Sequence, residues 1–219
     1  MEENNRKGTG IFYAVIGVAT LVVAIVGATF AYFTAAASVE GNNNITGQTA
    51  TGANASVVVE KVQPTAENIG KMVPLKDDLL ETAITKNCKD SNNYTACHIY
   101  SVTITNQGEA GADDLYVNTT LQLTTDAQNI QWQRMTSETA LGEGTAVTSH
   151  ATASPLGTTE RVSVGTPVTY YVLVWLHDTE TEGGQNTEDA MKSFTGAVAA
   201  NIVSSTGAPL GNITATFTA

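Results

Sequence analysis

The sequence predicts an all-β protein: a single two-sheet sandwich of jelly-roll-like topology, preceded by an N-terminal transmembrane or signal helix. Three observations carry that expectation. An uncharged, almost wholly apolar run, GIFYAVIGVATLVVAIVGATFAYF from Gly10 to Phe33, opens the chain. After it, apolar residues recur at every second position in short segments, which is the period of a strand with one buried face. Between those segments lie clusters of Gly, Asn, Asp and Pro, the residues that turns require.

The organisation that follows is a signal peptide or membrane anchor over 1–33, an extended linker over 34–55 and a sandwich domain over 56–219. At 1.5 Å of rise per residue the apolar run would extend roughly 36 Å as a helix, enough to cross the ~30 Å hydrocarbon core of a bilayer. Arg6 and Lys7 precede it and no further basic residue occurs until Lys61, so the N-terminus is expected to stay inside and the rest to be exported. Length favours a retained anchor. The small residues Gly27, Ala28, Ala31 and Ala35 to Ser38 favour cleavage, with Ala31, Tyr32 and Phe33 as the cleavage region, and both outcomes stay open.

Strands are expected at Ser56 to Val62, Tyr100 to Thr105, Leu115 to Leu123, Ile130 to Met135, Arg161 to Val164, Val168 to Leu176, Phe194 to Val203 and Ile213 to Phe217. In the second and third of these, polar residues alternate with the apolar ones, so each should have one wet face. VTYYVLVWL, from Val168 to Leu176, is apolar at both parities and predicts a central strand covered on both sides, with Val172 and Val174 among the most buried residues. The one predicted helix is DDLLETAIT, Asp77 to Thr85, whose two aspartates suit a helix N-terminus.

Composition narrows the function. The chain is 42% hydrophobic and only 14% charged, with a net charge of −11, and such a surface repels nucleic acid and anionic lipid headgroups. Cys88 and Cys97 flank the turn-forming run Asp90-Ser91-Asn92-Asn93, and in an oxidising exterior they are expected to form a disulfide. A zinc site would need four ligands, and only His98 stands nearby.

Other features are read for chemistry and for the plainer alternative. The loop His177 to Asp189 carries Asp178, Glu180, Glu182, Glu188 and Asp189; it is expected to be a solvated acidic hairpin tip, with calcium as the open alternative although the spacing matches no defined calcium loop. His98, His150 and His177 are far apart and are expected to be ordinary surface or strand residues. No HExxH, GxSxG or GxxxxGK[ST] motif occurs, so neither an enzyme nor a bound cofactor is expected. Asn44, Asn54, Asn93, Asn118 and Asn212 each begin an N-x-[ST] triplet and permit glycosylation, in a chain so rich in Asn and Thr that chance gives nearly as many.

The segment GATFAYFTAAASVEGNNNITGQTATG, Gly27 to Gly52, resembles the export signal and mature start of the secreted camelysin and TasA type of protein. The Phe30-Ala31-Tyr32-Phe33-Thr34 block fits that pattern, with Ala35 where an aspartate is common. Further on, the two cysteines before IYSVTITN, then YYVLVWL, SFTGAV and ITATFTA, resemble other members of the same broad group. The resemblance implies a jelly-roll-like domain, export, processing by a dedicated signal peptidase, and assembly into matrix fibres. Some relatives have been called metalloproteases, which the missing zinc motif does not favour here.

The expected function is therefore an exported cell-surface or extracellular-matrix subunit, self-assembling into fibres as Thr34 to Ala55 adds as a strand to a neighbour's open edge. The alternative is a membrane-tethered display or binding domain. A pilin-like subunit fits less well, because Tyr13 stands where most bacterial pilins carry a glutamate, and a secreted hydrolase has only the acidic loop and scattered histidines in its favour.

Overall fold

Two antiparallel sheets face each other in the computed structural model of the chain, which describes residues 17, 18, 20, 54–65, 72–142, 144–179, 189 and 192–218. The chain divides into two units, Met1–Val39 and Glu40–Ala219. In the first, Gly17, Val18 and Thr20 are helical; no helix among the described residues is long and apolar enough to cross a membrane. The expected spanning helix, the cleavage region Ala31 to Phe33 and the linker up to Ala53 otherwise lie outside the described residues.

Among its described residues the second unit holds ten strands and one α-helix: β1 (Ala55–Gln63), α1 (Leu80–Thr85), β2 (Cys97–Asn106), β3 (Leu115–Thr125), β4 (Ile130–Ser137), β5 (Ala140–Leu141), β6 (Ser154–Pro155), β7 (Glu160–Val162), β8 (Val168–Leu176), β9 (Phe194–Val203) and β10 (Pro209–Thr218). The first sheet has the order β1-β2-β8-β4-β5 and the second β10-β9-β3-β6, with β7 also on β3. The expected spans of β8 and β9 match the observed ones residue for residue, and Asp77 to Thr85 forms as a 3-10 turn over Asp77–Leu79 running into α1.

The topology corrects the jelly-roll expectation. In a jelly roll the first and last strands lie side by side in one sheet; here β1 and β10 close different sheets. The core order β1-β2-β8-β4 against β10-β9-β3 is that of the ABED and GFC sheets of an immunoglobulin-type sandwich. The strand count fitted either winding, and only the pairing separates them.

Between the sheets lies the main core. Val57, Val59, Val102, Ile104, Val117, Leu121, Val172, Val174, Val198 and Ile213 are all fully buried, and Phe194, Phe217 and Tyr100 fill one end. A ring edge of Phe194 meets Tyr100, and Phe217 lies 4.1 Å from Tyr100, centroid to centroid. Gly196 in β9 makes room for that packing: a Cβ there would sit 2.1 Å from the Phe217 ring.

A second, smaller core explains why β8 is apolar at both parities. Leu173 and Trp175 point away from the main core and pack with Ile99, Cys97 and Met135 against Leu75, Leu80, Ala83, Ile84 and Cys88. The insertion between β1 and β2, with α1 and the disulfide loop, thus roofs the outer face of the first sheet. The expected wet face of β2 is corrected at Ser101, which is 8% exposed, while Thr103 and Thr105 stay partly exposed.

Candidate functional site

The roof over the first sheet is held by two devices. Cys88 and Cys97 are bonded to each other with Cα atoms 4.9 Å apart, and both are fully buried. Within the ring they close, Asp90 Oδ1 accepts from the backbone N–H groups of Asn92 and Tyr94 at 2.9 and 2.7 Å, the local turn chemistry of a short acidic side chain. Asn87 and Asn93 sit at φ 59° and 68°, in the left-handed region that asparagine tolerates. The second device is Asp77: its Oδ1 accepts from Trp175 Nε1 at 3.1 Å and lies 2.9 Å from His177 Nδ1, tying the start of the helical turn to the end of β8. The bridge between Leu75 and His177 extends that tie through the backbone.

The histidines separate into three environments. His177 is part of the Asp77 tie. His150 Nε2 lies 2.7 Å from the Ile130 carbonyl oxygen. His98 departs from the expectation of an ordinary strand residue: it is buried among Tyr100 and Phe194, its Nδ1 has no hydrogen-bond partner, and burial, with Lys61 adding to it, pushes its pKa down to about 4. Its phase with Tyr100, Val102 and Ile104 was the available signal. Burial likewise pushes the Tyr100 phenol up.

The acidic loop is split by its own ends. Asp189 is 3% exposed rather than solvated, and accepts from Gln128 N–H and Asn129 Nδ2 at 3.3 and 3.2 Å, anchoring the connection between β3 and β4. Glu180, Glu182 and Glu188 lie outside the described residues. Among the described residues no group of three or more His, Cys, Asp or Glu side chains is placed to hold a metal ion. Of the glycosylation triplets, Asn54, Asn93, Asn118 and Asn212 are exposed, and Asn44 lies outside the described residues.

The strands that end the sheets differ in chemistry. β1 carries Glu60 and Lys61, the latter at the inward parity of Ala55, Val57 and Val59, and its register shifts between Lys61 and Gln63. Inward charges and bulges are two ways natural sheets keep an edge from pairing. β10 is ten residues long, PLGNITATFT, with a register shift only at its start, between Pro209 and Gly211, and no charged residue. At the far side of the second sheet, Arg161 pairs with Asp114 through Nε at 2.7 Å and through Nη2; hydrogen bonds from Ser163 and then Arg161 hold the Asp114 carboxyl below its ordinary value. Charge guards that side and is missing from β10.

Comparison with family models, with curated proteins and with solved structures finds no match.

Proposed function

We propose that the chain is an exported structural subunit of the cell surface or extracellular matrix that forms fibres by strand addition, with β10 as the accepting edge. The uncharged chemistry of β10, against the guarded β1, is the observation that carries this reading. Ala55, the last residue of the expected donor, already pairs with Asn106 as the first residue of β1, and the Asn54 carbonyl accepts from Gln107 N–H, so the donor from a second copy is residues 34–53. That stretch has one charge, Glu40, and is rich in Thr, Ala, Gly and Asn. The apolar run Gly10 to Phe33 supplies export and membrane insertion, and the resemblance of Gly27 to Gly52 to camelysin and TasA-type signals points to removal by a dedicated signal peptidase. Cleavage near Ala31 then acts as the assembly switch, since the uncut chain stays in the bilayer.

Deleting Thr34 to Gly47 from the processed protein tests the mechanism. The sandwich should stay folded and fibres should vanish; fibres of normal length by electron microscopy would refute strand addition by this segment. The length of the apolar run favours a second reading, a display domain tethered by an uncut helix. Mass spectrometry of the protein from cells separates the two: a chain beginning at Met1 supports the tether, and one beginning near Tyr32 supports the fibre.

A further inference from the structure

The two cores share no residue, and the chain from 73 to 97 contributes nothing to the main one. Leu75, Leu80, Ala83, Ile84 and Cys88 pack instead on the outer face of the first sheet, so the sandwich is filled without its roof. The roof holds itself poorly: α1 has six residues, well under the ~12 at which an isolated helix becomes even marginal, and neither it nor the 3-10 turn before it has a side-chain cap. Its N-terminal end is fastened to the end of β8, where Leu75 N–H donates to the Leu176 carbonyl at 2.9 Å and Asp178 N–H donates to the Leu75 carbonyl at 3.0 Å. Its C-terminal end leaves through Asn87 and Cys88, successive residues at φ 59° and 57°, in the left-handed region that side chains other than glycine resist. The bond to Cys97, the first residue of β2, holds that turn against the sheet.

We propose that the roof is a redox latch: a separately opening unit of the fold that reduction of the Cys88–Cys97 bond releases, baring the outer face of the first sheet while the main core stays closed. Units of this kind open at a lower free energy than the whole fold. The bond joins residues 9 apart in sequence, and by loop-closure entropy a ring of that size shifts the ratio of closed to open roof on the order of a hundredfold. With the roof open, Ile99, Met135, Leu173 and Trp175 lose their cover together. Closing the latch takes two protons and two electrons from the thiols and passes them to a disulfide oxidant of the exterior, which leaves as its dithiol. Cytosolic thiols stay reduced, so the roof latches only after the chain has crossed the membrane; this timing, unlike the latch itself, rests on the export proposed above.

Amide hydrogen exchange of the full chain, oxidised and as the Cys88→Ala/Cys97→Ala variant, tests the latch. The roof amides of Lys86, Asn87, Lys89 and Ala96, each hydrogen-bonded to another roof carbonyl, should lose about a hundredfold in protection in the variant. Those of Val117, Val172 and Val198 in the main core should keep theirs. Wild-type chain reduced in denaturant and refolded under reductant should match the variant, which separates the lost bond from the lost packing of two sulfurs. Equal loss in both cores, failure of the reduced chain to fold, or roof amides that keep their protection overturns the proposal. In cells, a membrane-permeant thiol reagent should label both cysteines in chains held inside and neither in chains outside. A closed pair in both places removes the timing and leaves the fibre reading intact; a working latch in a chain that never leaves the cell removes export alone.

Discussion

His98 makes the sandwich lose stability as pH falls from about 6.5 towards 4. An unfolded histidine titrates near 6.5, whereas His98 in the folded protein is pushed down to about 4, chiefly by burial and then by the charge of Lys61. Between those values the unfolded chain binds a proton that the folded chain refuses, so stability is full above pH 6.5 and falls as pH drops towards 4. Each pH unit in that window costs about 1.4 kcal/mol, giving a loss of about 2 kcal/mol between pH 7 and 5 and about 3 kcal/mol by pH 4. Denaturant titrations of the protein at those pH values, followed by the fluorescence of the buried Trp132 and Trp175, would measure it. His98→Phe keeps an aromatic ring between Tyr100 and Phe194 and removes the titration, so its stability should be flat between pH 7 and 5 apart from the change contributed by other groups. A His98→Phe protein with the same 2 kcal/mol fall as wild type would refute the assignment.

Three further outcomes follow from the packing. Replacing both Cys88 and Cys97 by Ser should lower stability by about 2 to 3 kcal/mol, and because both sulfurs are fully buried the wild-type bond should survive mild reductant until denaturant is added, as read by free-thiol titration. Gly196→Ala should cost about 1 to 3 kcal/mol in a denaturation experiment, because the new methyl falls on the Phe217 ring and that ring is held by Tyr100; an unchanged midpoint would mean that the aromatic cluster yields freely. Val172→Asp places an unpaired carboxylate in the middle of the main core and should leave no folded protein detectable by the fluorescence of Trp132 and Trp175.

Strands with a sustained period were legible in place, and β8 and β9 from end to end, because each side chain's phase reports the face it occupies, whereas β10 runs from Pro209 to Thr218 where only Ile213 to Phe217 was expected; Val168 to Leu176 even announced a cover on both sides. The two-residue strands β5 and β6 were not, since two residues have no period. Winding escaped for a different reason. Residues 126–129, a connection short enough for a hairpin, carry the chain from β3 in the second sheet to β4 in the first, so loop length misreports the neighbour. The Asp77 to His177 tie joins residues 100 apart, and no local pattern could pair them.

The register of β9 against β10 lies between these cases. Alternation in Phe194 to Val203 and Pro209 to Thr218 shows which residues point outward, and the inward Val198, Ile202, Ile213 and Phe217 forbid a slip of one residue. A slip of two would keep every face intact and set Asn212 against Ala199 in place of Asn201. What excludes it is the short hairpin between β9 and β10. Ser204 N–H donates to the Ala208 carbonyl at 2.8 Å, Ser204 Oγ accepts from Ala208 N–H at 3.1 Å, and Gly207 takes the left-handed φ of 81° that closes the turn. The pairing of Asn212 with Asn201 is therefore a consequence of one turn: strand composition supplies the side chains, and the hairpin sets which of them lie side by side.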